Sequence, residues 1–136
     1  MKISRHNIIV GFVAGNAQKC GFKIKSLEGN HNNVTIYKPQ LPEKLINHRP
    51  DVIGLNIDGA VCIGEAKTGA DLKTRRSKTQ LIDFVSIIRN RPDNLLIIGI
   101  PMGEKELLLK VLRDLRIIID DQIRILEIPE TFLHHD

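Results

Sequence analysis

Apolar residues recur at helical spacing from Arg5 to Cys20, where Ile8, Ile9, Phe12 and Val13 fall on one side and Gly21 supplies a stop. The period then shortens. Phe22 to Leu27 and Val34 to Tyr37 read as strands, and the turn-rich run from Glu28 to Asn33 between them predicts a first hairpin. Pro39 to His48 reads as an irregular connector, because Pro39 and Pro42 discourage a helix before Leu45. Arg49 to Lys67 follows as two short apolar strands joined by a tight turn. Next, Thr68-Gly69-Ala70-Asp71 marks a break and a helix start with Asp71 as cap. The helix runs to about Asn90 on a stripe of Leu81, Phe84, Val85 and Ile88. Asn94 to Ile100 suits a strand buried on both faces. Gly103 to Arg116 is an amphipathic helix with Leu107, Leu108, Val111, Leu112 and Leu115 inward, Ile123 to Ile128 a closing strand, and Thr131 to Asp136 a short exposed tail. This order predicts an α/β protein: one mixed β-sheet with helices on both faces and right-handed crossovers, a single domain over residues 1–136.

The second hairpin admits two registers. With Asp58-Gly59 as a two-residue loop, Asp51 faces Ala66 and Glu65 lies on the opposite side of the sheet. With Ile57-Asp58-Gly59 as a three-residue loop and Gly59 left-handed, Asn56 faces Ala60 and Asp51 faces Glu65. Side-chain size favours the second. It gathers Asp51, Ile53, Leu55, Val61, Ile63, Glu65 and Lys67 on one face and leaves Val52, Gly54, Asn56, Ala60, Cys62, Gly64 and Ala66 on the other, as expected if a helix packs closely over the small face.

Two carboxylates directly opposite one another repel unless something cationic lies between them. A hard divalent cation with oxygen ligands answers this, and Mg²⁺ suits a site with few protein ligands and room for water and a phosphate. Lys67 would share the face of Glu65 and could hold or polarise a water or a phosphate oxygen beside the metal.

Pro50-Asp51, a gap of about a dozen residues, then Glu65-Ala66-Lys67 closing an apolar strand resembles the P-D…(D/E)-x-K signature of the restriction-endonuclease-like nuclease superfamily. The resemblance implies that fold, an α-β-β-β-α-β core here extended by a C-terminal helix and strand. It implies Asp51 and Glu65 as metal ligands, the Ala66 backbone carbonyl as a third, and Lys67 as the catalytic lysine. Gln80, followed one turn later by Phe84, is similar to the Gln-x-x-x-Tyr helix motif of exonuclease-like and resolvase-like branches, in which the glutamine faces the site. Phe84 replaces the tyrosine, so any hydroxyl role is lost. The chain has no acid before Glu28, so the further acid that the first helix supplies in much of the superfamily is absent or comes from elsewhere. Glu28 itself reads first as an exposed loop residue and second as an outer acid near the site.

Composition changes the picture in three ways. Aromatic content is only 4%, which argues against a stacking platform for single-stranded bases. The net charge of +4 is compatible with a polyanionic partner, and Lys73, Arg75, Arg76 and Lys78 follow the acid pair closely enough to contact a nucleic-acid backbone. His48 and Arg49, shortly before Asp51, could touch a phosphate, although His48 reads first as solvated loop. Finally, Cys20 and Cys62 have no metal-binding spacing, and no apolar run reaches a signal peptide or membrane span, so a soluble, cytoplasmic protein is expected. His134 and His135 read as a frayed end.

The expected activity is a Mg²⁺-dependent nuclease, with Mn²⁺ able to substitute, acting on DNA or else RNA. The short chain favours structure-selective cutting, for instance of branched DNA as in junction resolvases, over site-specific restriction. By analogy a homodimer would supply two cutting centres. The alternative is a non-catalytic nucleic-acid-binding module on the same fold. A nucleotide-binding domain fares poorly, since G-x-G-x-x-G and G-x-x-x-x-G-K-(S/T) are both missing.

Overall fold

The computed structural model describes residues 4–27 and 48–133. The expected Val34 to Tyr37 strand, the turn before it with Glu28, the connector up to residue 47, and His134 and His135 lie outside the described residues. The elements are α1 (Arg5–Lys19), β1 (Lys23–Leu27), β2 (Val52–Leu55), β3 (Val61–Ala66), α2 (Gly69–Leu72), α3 (Arg75–Ile88), β4 (Leu95–Pro101), α4 (Lys105–Asp114), β5 (Ile123–Ile128) and a short 3-10 turn (Glu130–Phe132).

Among the described residues, the strands form one five-stranded sheet in the order β1-β2-β3-β4-β5. The first three pair antiparallel, while β3-β4 and β4-β5 are parallel, so the α/β class and the mixed sheet both hold. The crossovers through α3 and α4 step in the same direction along the sheet and therefore place both helices on one face. On that face Val61, Ile63, Leu96, Ile98 and Ile100 meet Leu81, Phe84, Leu108 and Leu112. The opposite face carries α1, whose Ile9, Val10, Val13, Ala14 and Ala17 cover Val52, Ala60, Cys62 and Ile97. No helix among the described residues is long and apolar enough to cross a membrane, and Cys20 and Cys62 are both free thiols.

The hairpin has the register that side-chain size favours. Val52 pairs with Gly64 and Leu55 with Val61, which sets Asp51 opposite Glu65. Gly59 takes φ 88° in the turn, a value that side chains with a Cβ rarely adopt. Asn56 organises the turn further, its Oδ1 accepting from the backbone N–H of Asp58 at 3.0 Å and of Ala60 at 2.8 Å. On the small face, a Cβ at Gly64 would lie 2.5 Å from Val13 Cγ1, and one at Gly99 would lie 2.5 Å from Val13 Cγ2. That absence of side chain is what lets α1 lie so near the sheet.

Three expectations need correction. Phe12 is not part of the buried stripe: it is 39% exposed and packs edge-to-face on Phe132 at 5.3 Å, and the stripe turns instead through Val10, Ala14 and Ala17. The C-terminal tail is correspondingly anchored as far as Leu133, which is buried against the α1 side of the core. The helix after Lys67 is also not continuous. Thr68, not Asp71, is the N-cap of α2, with Asp71 completing a capping box, and a second cap at Thr74 restarts the chain as α3. Thr74 Oγ1 donates to the Asp71 carbonyl at 2.8 Å while accepting from Ser77 N–H at 3.1 Å, so one hydroxyl both closes α2 and opens α3.

Candidate active site

The acid pair stands where β2 begins and β3 ends. Asp51 and Glu65 are 4% and 2% exposed, and Lys67, one residue beyond β3, is 6% exposed. Such burial of three ionisable groups is tolerated only with close partners. Asp51 Oδ2 accepts from the Ala66 N–H at 2.9 Å, and Glu65 Oε1 accepts from the Asp51 N–H at 3.3 Å, so each carboxyl is held by the backbone of the opposing strand. Lys67 N–H donates to the Gly99 carbonyl at 2.9 Å, keeping the backbone beyond β3 pinned to β4. The Lys67 ammonium donates to Ser77 Oγ at 3.1 Å and to Gln80 Oε1, and lies 3.8 Å from Glu65 Oε2.

Asp51, Glu65, Ala66, Lys67, Gln80, Arg49 and Arg76 line one cavity of about 400 Å³, together with His6, Asp71, Thr74 and Ser77. Of the other cations expected at a nucleic-acid backbone, Lys73, Arg75 and Lys78 are not among the residues that line it: Lys73, between α2 and α3, and Arg75 are exposed, and Lys78 is half-buried. His48 is not simply solvated. Its Nε2 lies 3.3 Å from Asp83 Oδ2 and its ring stands edge-on to Phe84, which ties the residue before Arg49 to α3. Phe84 itself is wholly buried and belongs to the core.

Three cavity residues escaped the sequence reading: His6, Ser77 and Thr74, the cap of α3. His6, in the first turn of α1, places Nε2 3.3 Å from Asp51 Oδ1, so this helix meets the acid pair with an imidazole. Its signal is positional: His6 lies three and four residues before Ile9 and Val10, on the helix face turned to the sheet. Ser77 lies three residues before Gln80 and four before Leu81, again on the inward face.

Burial, reinforced by the Asp51 charge and a hydrogen bond between the two carboxyls, raises the Glu65 pKa to about 9. Lys67 and the Asp51 N–H pull the other way without cancelling it. This shift favours a proton on the pair, where a cation would relieve the same repulsion. The donor set fits a hard divalent ion: two carboxyls and, from the end of β3, the Ala66 carbonyl. In an extended strand a residue's N–H and C=O project to the same side, so the carbonyl of Ala66 is directed to the side on which its N–H meets Asp51. Among the described residues there is no group of three or more His, Cys, Asp and Glu side chains arranged to hold a metal. That excludes a cage built wholly of side chains from the described residues, but not a Mg²⁺ site, in which water and a phosphate complete the coordination.

No family model matches the chain, and neither a curated protein nor a solved structure matches it.

Proposed function

We propose that the chain is a metal-dependent nuclease of the restriction-endonuclease-like fold, hydrolysing phosphodiester bonds in DNA. The observation that carries this reading is the pairing of Asp51 with Glu65 across the hairpin, with the Lys67 ammonium 3.8 Å from Glu65 at the floor of an open cavity. Asp51, Glu65 and the Ala66 carbonyl would hold Mg²⁺, and Mn²⁺ would serve in its place. When bound, the ion supplies Lewis-acid stabilisation of phosphoryl charge and a lowered pKa for the attacking water. Lys67 contributes a fixed positive charge and a hydrogen bond beside that position, and Gln80 holds Lys67. Arg49 and Arg76 line the same cavity and seat the flanking phosphates, whereas Lys73, Arg75 and Lys78 add only longer-range attraction. In this proposal the enzyme is cytoplasmic and selects branched DNA by shape, with a homodimer providing one cutting centre for each strand.

The test is cleavage of linear duplex, single-stranded and four-way-junction DNA, and of an RNA duplex, in Mg²⁺, Mn²⁺ or chelator. Wild type should cut the junction only with a divalent ion. Asp51→Asn, Glu65→Gln and Lys67→Ala should each lower the rate by roughly a hundredfold or more. Undiminished cutting by all three variants removes this mechanism. Tight DNA binding without cutting in any divalent ion replaces the nuclease with a non-catalytic nucleic-acid-binding module.

A further inference from the structure

Ser77 is 5% exposed, and its hydroxyl accepts a hydrogen bond from a lysine that is itself only 6% exposed. A lysine ammonium has three donors and a long flexible stem, so leaving it buried in one orientation requires acceptors that are fixed independently of it. Both acceptors here come from α3. Gln80 lies one turn after Ser77, and the two side chains take two of the three donors. The third donor is left on the side of Glu65 Oε2, which at 3.8 Å is near enough for charge attraction but too far for a hydrogen bond. Two donors therefore anchor the ammonium and one is left beside the acid pair.

The position of Ser77 is set in turn by the restart of the helix. Thr74 Oγ1 accepts from the Ser77 N–H at 3.1 Å, fixing the first turn of α3 at the residue that carries the acceptor hydroxyl. A helix running unbroken from Thr68 would have no such cap there.

We infer that Ser77 is a positioning residue that, with Gln80, fixes the Lys67 ammonium so that its remaining donor is directed at the reacting phosphate or water. The directional part of this rests on the nuclease reading; the anchoring itself does not. In ¹⁵N-lysine-labelled full-length protein, with the Lys67→Met variant giving the assignment, the Lys67 ammonium should yield a ¹H–¹⁵N correlation near neutral pH because its protons are bonded and shielded from exchange. Ser77→Ala should abolish that signal while the backbone spectrum stays close to wild type, and Ser77→Thr should restore it. On the substrate that wild type cuts, Ser77→Ala should lower kcat about tenfold or more with KM unchanged, and Ser77→Thr should recover most of the loss. If the alanine variant does not fold, Ser77→Cys, nearly isosteric with a weaker acceptor, is expected to give the same two losses. Retention of both the signal and kcat in Ser77→Ala or Ser77→Cys overturns the inference. A wild type that cuts nothing refutes the nuclease reading and with it the directional part, while the ammonium signal still decides the anchoring.

Discussion

On one face of the sheet α1 lies directly over backbone, with Val13 Cγ1 and Cγ2 occupying the space that side chains at Gly64 and Gly99 would need. On the other face α3 and α4 stand off on Ile63, Leu96, Ile98, Phe84 and Leu108, all wholly buried. The difference decides where chemistry fits. Close helix-to-backbone contact leaves no room for long polar side chains, whereas the spaced face can bury Lys67, Ser77 and Gln80 at its margin. The acid pair sits at the end of the hairpin between the two regimes: His6 meets Asp51 from α1, and Lys67 links Glu65 to α3.

The sharpest way to break the spaced face is to empty it. Phe84 is wholly buried and shares an edge contact with His48, which precedes Arg49. Phe84→Ala should cost about 3–5 kcal/mol of stability in urea denaturation, the range for a large aromatic removed from a packed core. A loss below about 1 kcal/mol would mean that α3 does not depend on this residue and that the spacing argument is mistaken.

The close face should fail in the opposite way, by overfilling. A Cβ at Gly99 would lie 2.5 Å from Val13 Cγ2 and 2.8 Å from Ile9 Cγ2, so Gly99→Ala should destabilise by about 1–3 kcal/mol. Val13→Ala alone should also destabilise, by opening a void. Because the added and removed methyl groups share one space, the double variant should be more stable than the sum of the single losses predicts, by at least about 0.5 kcal/mol. Strict additivity would show that α1 moves aside without strain.

These two faces were legible in the sequence for local reasons. Alternation of large and small residues between Val52 and Ala66, with Gly59 at the turn, is sufficient to choose the register, and the register alone brings Asp51 to Glu65. Lys67 follows from strand periodicity, whereas Gln80 is singled out only by its likeness to the Gln-x-x-x-Tyr helix motif. What escaped depends on contacts distant in sequence or on caps that compete. Phe12 leaves the stripe because Phe132, from the other end of the described chain, offers it a partner. The pairing of β1 with β2 joins Lys23 to Leu55 across a gap that no periodicity spans. His6 becomes part of the site only once α1 is known to begin over Asp51. The split between α2 and α3 was nominally visible, since Thr68 and Thr74 each stand three residues before an N–H they cap, but the cations between and after them read more simply as one helix face.

Titration separates the faces most quietly, and it follows from the acid pair. Glu65 has a folded-state pKa raised to about 9, chiefly by burial and then by Asp51. An unfolded glutamate titrates near about 4.3. Across that window the native state holds a proton that the unfolded state has released. The stabilisation is thus fully present below the lower value and is lost as pH rises towards the upper, by at most about 1.4 kcal/mol per pH unit. Urea denaturation in chelator at intervals across this window should show the decline, and Glu65→Gln, which keeps the shape without the ionisation, should flatten it. If the pair holds Mg²⁺ as proposed, the ion should restore stability more at the alkaline end than at the acid end, because it would bind the ionised pair in place of the proton. Cys62, buried under α1 with its thiol pushed up to about 12, adds a decline of its own only above about pH 8.5, where an unfolded thiol ionises, so Cys62→Ala should leave the slope below that unchanged. A wild-type slope that survives in Glu65→Gln would mean the pair shares no proton, and the charge assigned to the end of the hairpin would have to be sought elsewhere on the sheet.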